Sequence, residues 1–163
     1  MMRTLLYWLS GMRPCRIISD GGKPYLERYY LCTVFGTRWY LHRFVASDPD
    51  RGFHDHPWPW AISLIFIGWY WNLTRAGTCR VRWFNFIGAD TFHRVVLPRD
   101  RGVPEVWTLF VHRAQDVKPW GFLREKGQLG MVYVPFSYPQ GVKQSEWWKT
   151  APRGRNELRR MPR

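Results

Sequence analysis

His54 and His56 stand two residues apart at the head of an apolar run, GFHDHPWPWAISLIFIGWY. Side chains alternate along an extended strand, so both imidazoles project from one face. The next histidine, His93, lies in GADTFHRV, one hairpin further along. Three imidazoles on one face of a small barrel would make an open metal site, with positions left for water or substrate. Such a site suits a divalent transition metal. A single strand histidine is more often a packed or surface residue than a ligand. The paired spacing is what aims two rings at one point. Pro57 and Pro59 restrict the chain just beyond the pair.

Other residues would complete a pocket around these three. On the strand Trp39–Phe44, Tyr40, His42 and Phe44 share one face and Arg43 takes the other. Whichever face turns inward supplies a fourth nitrogen ligand, His42, or a guanidinium for a carboxylate or phosphate, Arg43. Arg94 is the second candidate for that guanidinium. Tyr70, two residues after Gly68, would offer a hydroxyl, and His112 is a further candidate for the fourth ligand. Asp90 would orient an imidazole from behind. Asp55 falls on the opposite face from its neighbouring histidines and reads as a turn or ion-pair residue.

These residues need a scaffold of strands. Strand signals run in series: Arg28–Val34, Trp39–Phe44, Ala61–Trp71, Arg80–Phe86, Thr91–Leu97, Val106–Val111 and Gly130–Val134. Gly, Pro and Asp punctuate them, as in Ser47-Asp48-Pro49-Asp50 and Pro98-Arg99-Asp100-Arg101-Gly102. With 11 Trp, 8 Tyr and 10 Phe, the chain carries a large apolar load that argues against disorder. The pattern predicts an all-β sandwich or barrel over residues 26–149, preceded by an N-terminal extension, 1–25. That extension reads as a short helix or edge element and a loop. Residues 150–163 form a basic tail, expected to be flexible.

The net charge is +13, and Lys149 to Arg163 contribute six cations against one Glu. A basic body suggests anionic partners, although excess Arg is also ordinary solvated surface. Cys15, Cys32 and Cys79 are isolated, which suits a reducing, cytoplasmic setting better than a disulfide scaffold. The longest apolar stretch, Ala61 to Tyr70, is too short to span a bilayer, so no membrane is expected.

The HxH pair, Gly68 and His93 together resemble the metal-site motifs of the cupin superfamily. His54 and His56 take the HxH positions and Gly68 the closing glycine. Ala61 stands where that family has its glutamate, and Gly88, Asp90 and Leu97 stand in place of its later Pro, Gly and Asn. The segments SDPDRGFHDHPW, HRVV, WTLFVHR and WGF are also similar to small cupin-like proteins of bacteria and phages. The resemblance covers roughly residues 40–112 and implies a double-stranded β-helix, or jelly-roll barrel, with a homodimer as a common assembly. Without the glutamate, a divalent ion on His54, His56 and His93 would keep its full charge and favour an anionic substrate. This resembles the three-histidine iron centres of thiol dioxygenases, which implies Fe(II) as the metal, with Zn, Mn and Ni as alternatives. Three functions follow as expectations. The first is a mononuclear non-haem metal-dependent oxygenase on a small anionic molecule. The second is a non-catalytic cupin that binds or senses a small ligand. The third is a phage or bacterial accessory protein that associates with nucleic acid through its basic tail.

Overall fold

The computed structural model describes residues 1–138 and 146–162. Residues 139–145 and 163, which fall in the expected barrel and tail, lie outside the described residues. A helix, α1 (Met2–Gly11), leads into twelve strands. In chain order these are β1 (Cys15–Asp20), β2 (Lys23–Val34), β3 (Thr37–Phe44), β4 (Phe53–His54), β5 (Trp60–Ile67) and β6 (Tyr70–Thr74), then β7 (Gly77–Val81), β8 (Phe84–Gly88), β9 (His93–Val96), β10 (Val106–Arg113), β11 (Gly121–Glu125) and β12 (Met131–Pro135).

The strands form two antiparallel sheets of six, β1-β2-β3-β10-β5-β8 and β12-β11-β4-β9-β6-β7. The chain repeatedly crosses from one sheet to the other, which makes a jelly roll rather than two meanders. Two expected strands are each divided by such a crossing. Ala61–Trp71 breaks at Gly68, whose φ of +79° only glycine adopts without strain. A Cβ there would lie 2.7 Å from the Glu105 carbonyl oxygen, so the corner between β5 and β6 needs glycine twice over. Arg80–Phe86 breaks at Arg82 and Trp83 between β7 and β8.

Between the sheets lies an apolar cluster of Leu26, Phe44, Ile65, Tyr70, Val95 and Val106. The outer face of the first sheet is not left to solvent. Tyr29, Leu41 and Trp107 point outward and are covered by Leu6 and Tyr7 of α1. Both faces of β3 are therefore buried, and its sequence shows no alternation of apolar and polar residues.

The basic tail, expected to be flexible, is docked on this outer layer. Pro14 and Arg153 form an antiparallel bridge, and the Cys15 amide donates to the Pro152 carbonyl at 2.8 Å. Arg159 donates to the Tyr7 carbonyl and to Ser10 Oγ at 3.1 and 3.0 Å. Beneath it lies the buried Arg43–Glu27–Glu105 cluster, to which the Arg160 backbone supplies a carbonyl for Arg43 and an amide for Glu27. The N-terminal extension is likewise part of the main sheet, because β1 pairs with β2 from Cys15↔Tyr29 to Asp20↔Lys23.

Candidate metal centre

Gly52 begins the site. Its φ is +97°, and a Cβ there would sit 2.3 Å from the Leu123 carbonyl oxygen. This close approach lets the two-residue strand β4 lie against β11, pairing Phe53 with Leu123 and His54 with Phe122. On its other side His54 pairs with His93 of β9. Backbone register thus brings the first and third histidines together. Asp55 pins the next step: its Oδ1 accepts the Gly121 amide at 2.7 Å and its Oδ2 the Lys118 ammonium at 2.8 Å. As expected of an ion-pair residue, it turns away from the histidines. Asp90 meets that same Lys118 and orients none of the three imidazoles. His56 follows, its ring stacked on Trp58 with centroids 5.0 Å apart.

The three imidazoles converge. One ring nitrogen of each of His54, His56 and His93 lies within 4.8 Å of the other two. The Nε2 atoms of His56 and His93 are 3.0 Å apart. Two nitrogens bound at about 2.1 Å to one ion and at right angles to each other are separated by about that distance. His93 Nδ1 lies 2.8 Å from Asn72 Oδ1, an acceptor only, so Nδ1 carries the proton and Nε2 keeps its lone pair. Asn72 sits on β6 with its side chain buried on the inner face.

Burial keeps these rings neutral. Desolvation lowers the His54 pKa to about 4 and that of His93 to about 3, and holds His56 well below its ordinary value. Neutral imidazole is the ligand form. The donor set therefore fits a divalent transition metal, with three nitrogens and no anionic ligand among the described residues. Asp48 is the nearest carboxylate, with Oδ2 3.9 Å from His54 Nδ1. That oxygen already accepts the Val95 amide at 2.8 Å.

The triad opens on a cavity of about 460 Å³ between the sheets. Tyr70 lines it, buried and bonded through its hydroxyl to Asn85 at 3.1 Å, with burial raising its pKa to about 12. His42 also lines it, but its Nε2 accepts the Arg28 Nε–H at 3.1 Å, and the ring stacks on Phe110 at 4.6 Å. His112 stacks on Trp58 at 3.6 Å and lies outside the cavity wall. Neither stands in the nitrogen cluster.

The two arginine candidates are elsewhere. Arg43 faces outward, locked between Glu27, at 3.1 Å, and Glu105 beneath α1 and the tail. It faces away because β3 turns His42 and Phe44 inward. Arg94 alternates with the inward His93 and pairs with Asp50 at the surface. Neither lines the cavity. Among the described lining residues the cations are Arg16, Arg28 and Arg51. Sequence reasoning missed Arg28, because uninterrupted pairing from the β2–β3 turn would set it opposite Arg43 rather than His42.

No protein-family model matches the chain, and no curated protein is similar to it in sequence. Solved structures are similar in fold. A cupin-2 domain from Rhodospirillum rubrum matches with a TM-score of 0.55 at 12% identity, over 69% of this chain and 76% of that one. A cupin 2 conserved barrel domain protein from Rhodopseudomonas palustris matches with a TM-score of 0.52 at 15% identity, over 68% and 78%. The Fe(II) form of HppE matches at 0.50 and 11% identity, over 61% of this chain and 56% of that one. Two antiparallel sheets, a histidine triad between them and these neighbours lead to one conclusion: the chain folds as a cupin.

Proposed function

We propose that the protein is a metal-dependent enzyme, a mononuclear non-haem oxygenase acting on a small anionic molecule. The observation that carries this reading is the convergence of three neutral imidazole nitrogens on a cavity large enough for a small molecule. His54, His56 and His93 would hold Fe(II), which supplies dioxygen chemistry when bound. One fold neighbour, HppE, is an Fe(II) protein, which supports iron ahead of Zn, Mn or Ni. Asn72 holds the His93 ring in its ligating tautomer. Tyr70 keeps its proton at neutral pH and presents a hydroxyl to the cavity. The buried aromatic walls exclude water from whatever is bound.

The isolated cysteines support a reducing, cytoplasmic setting. No helix among the described residues is long and apolar enough to cross a membrane. The docking of the tail weakens the nucleic-acid reading. Arg153, Arg159 and Arg160 all spend donors on the protein itself.

The test is elemental analysis of purified protein beside His93→Ala, followed by oxygen-uptake assays of the Fe(II)-loaded protein with small organic acids. One transition metal per chain, lost in the variant, with acid-dependent oxygen consumption, is the expected result. Metal without turnover would make the protein a binding or sensing cupin. No metal in either protein after anaerobic reconstitution would end the enzyme reading.

A further inference from the structure

We infer that Arg28 is the anion anchor of the cavity, and that the ligand is an amphipathic anion: a carboxylate carrying a ring-sized apolar body. The inference rests on reading the cavity as the substrate's site beside a metal.

The register of one hairpin puts Arg28 there. From the turn, β2 and β3 pair as Val34↔Thr37, Thr33↔Arg38 and Cys32↔Trp39. Continued without interruption, that register would set Arg28 opposite Arg43, on the outer face. The ladder instead slips by one residue between Tyr30 and Cys32, and Arg28 pairs with His42 while Glu27 pairs with Arg43. A one-residue slip exchanges the faces of everything beyond it. Here it sends Glu27 outward to neutralise Arg43 and Arg28 inward to the cavity.

Once inside, Arg28 has no counter-charge among the described residues. None of the ion pairs among the described residues includes it. Its Nε–H is spent on His42 at 3.1 Å, and its guanidinium lies 5.6 Å from the Tyr40 ring centre. No other hydrogen bond of Arg28 occurs among the described residues, so the two terminal nitrogens of the fork have no protein acceptor there. A half-buried, desolvated guanidinium fixed at Nε by a neighbour presents the geometry that a carboxylate takes up bidentately. Arg28 lines the same cavity as His54, His56 and His93. His42 is a positioning residue in this arrangement.

The rest of the lining defines the body of the ligand. Trp58, Phe110, Trp120, Phe122 and Phe136 supply ring faces, and Asp48 is the sole carboxylate among the described lining residues. A cavity of about 460 Å³ exceeds the needs of a two- or three-carbon acid. An apolar ring beside a single anionic group satisfies both walls.

The probes are 3-phenylpropanoate, its uncharged isostere 3-phenylpropanamide, and acetate. Each is titrated calorimetrically into the full-length protein, and metal content is measured on the same samples. Wild-type protein is expected to bind 3-phenylpropanoate about ten- to hundred-fold more tightly than the amide, the range of a charge-assisted hydrogen-bonded contact. Acetate is expected to bind at least about ten-fold more weakly, for want of a buried ring. Arg28→Gln should erase the carboxylate preference while keeping its metal, and Arg94→Gln should keep both. Equal affinity for acid and amide in the wild type, or no binding of 3-phenylpropanoate, overturns the inference without needing any variant to fold. A preference that survives in folded Arg28→Gln also overturns it, and assigns the carboxylate to the metal. Wild-type protein that takes no metal yet prefers the acid through Arg28 ends the metal reading and leaves the anchor standing.

Discussion

His93 and Asn72 are joined through Nδ1 and Oδ1 at 2.8 Å, across neighbouring strands of one sheet and with both side chains buried. The contact decides which nitrogen of His93 faces the cavity. Asn72→Ala is expected to weaken metal binding about 10- to 100-fold, and Asn72→Asp to recover most of it, because a carboxylate accepts the same N–H. Competition against a chelator of known affinity measures this. Unchanged affinity in the alanine variant would show that the ring is oriented by packing alone.

Acid should unfold the protein through its histidines. Burial lowers the pKa of His54 to about 4 and those of His93 and His112 to about 3. The unfolded chain titrates near the ordinary value of about 6.5, so below that pH it binds more protons than the folded chain. Stability therefore holds above about pH 6.5. It falls as the pH drops, by up to about 1.4 kcal/mol per pH unit for each such histidine, until the folded-state values are reached. Urea midpoints of metal-free protein at pH 7.5, 5.5 and 4.5 should decline in that order. A flat profile would contradict buried neutral imidazoles.

Arg43 is a prediction about stability rather than chemistry. It is almost wholly buried with Glu27 and Glu105. Arg43→Leu removes the cation shared by Glu27 and Glu105, leaving Glu105 only Arg3, at 3.9 Å, as a cation partner among the described residues, and is expected to cost about 3–5 kcal/mol in urea unfolding. The metal content of the protein that still folds should be unchanged, since Arg43 lies on the far side of the sheet. Lost metal at unchanged stability would return Arg43 to the cavity.

Gly52 carries the position of His54. Gly52→Ala must relieve a 2.3 Å approach to the Leu123 carbonyl, at a φ of +97°. It is expected to destabilise the fold by about 1–3 kcal/mol and to weaken metal binding with it, because β4 shifts off β11. Gly21→Ala, at a φ of +52° with no atom within 4 Å of the added methyl, is the milder comparison. Equal effects of the two would mean that strain alone matters and that the close approach does not.

The sequence and the structure agree where a pattern is local. The HxH spacing placed His54 and His56 together, and the aromatic runs marked most of the strands. The disagreements come from burial on both faces and from register. In β3 every residue from Tyr40 to Phe44 is buried, so alternation could not tell His42 from Arg43. The slip near Leu31 reverses the faces of β2 with no glycine or proline to announce it. β4 has two residues, too few for any periodicity, although it carries His54 of the triad. β11, Gly121–Glu125, begins at the glycine of the WGF segment but has no β-branched residue, and it too went unmarked. Tail docking was hidden for another reason: a Pro- and Arg-rich composition reads as solvated until the buried Glu27 that its backbone amide meets is known.

The stitch between the two ends of the chain also sets an order of events. Arg160 meets Glu27 across 133 positions, and Gly154 donates to the Arg13 carbonyl at 2.9 Å. These are among the most distant pairings the fold contains, and loop-closure entropy makes such pairings slow to form. During synthesis β2 and β3 emerge early, with Glu27 and Arg43 exposed on the hairpin. Their outer covering cannot be completed until residues 152–160 have left the ribosome. The Arg43–Glu27 pair thus lacks its backbone partners from Arg160 until elongation is nearly complete, although α1 is already at hand to cover the apolar flank beside it.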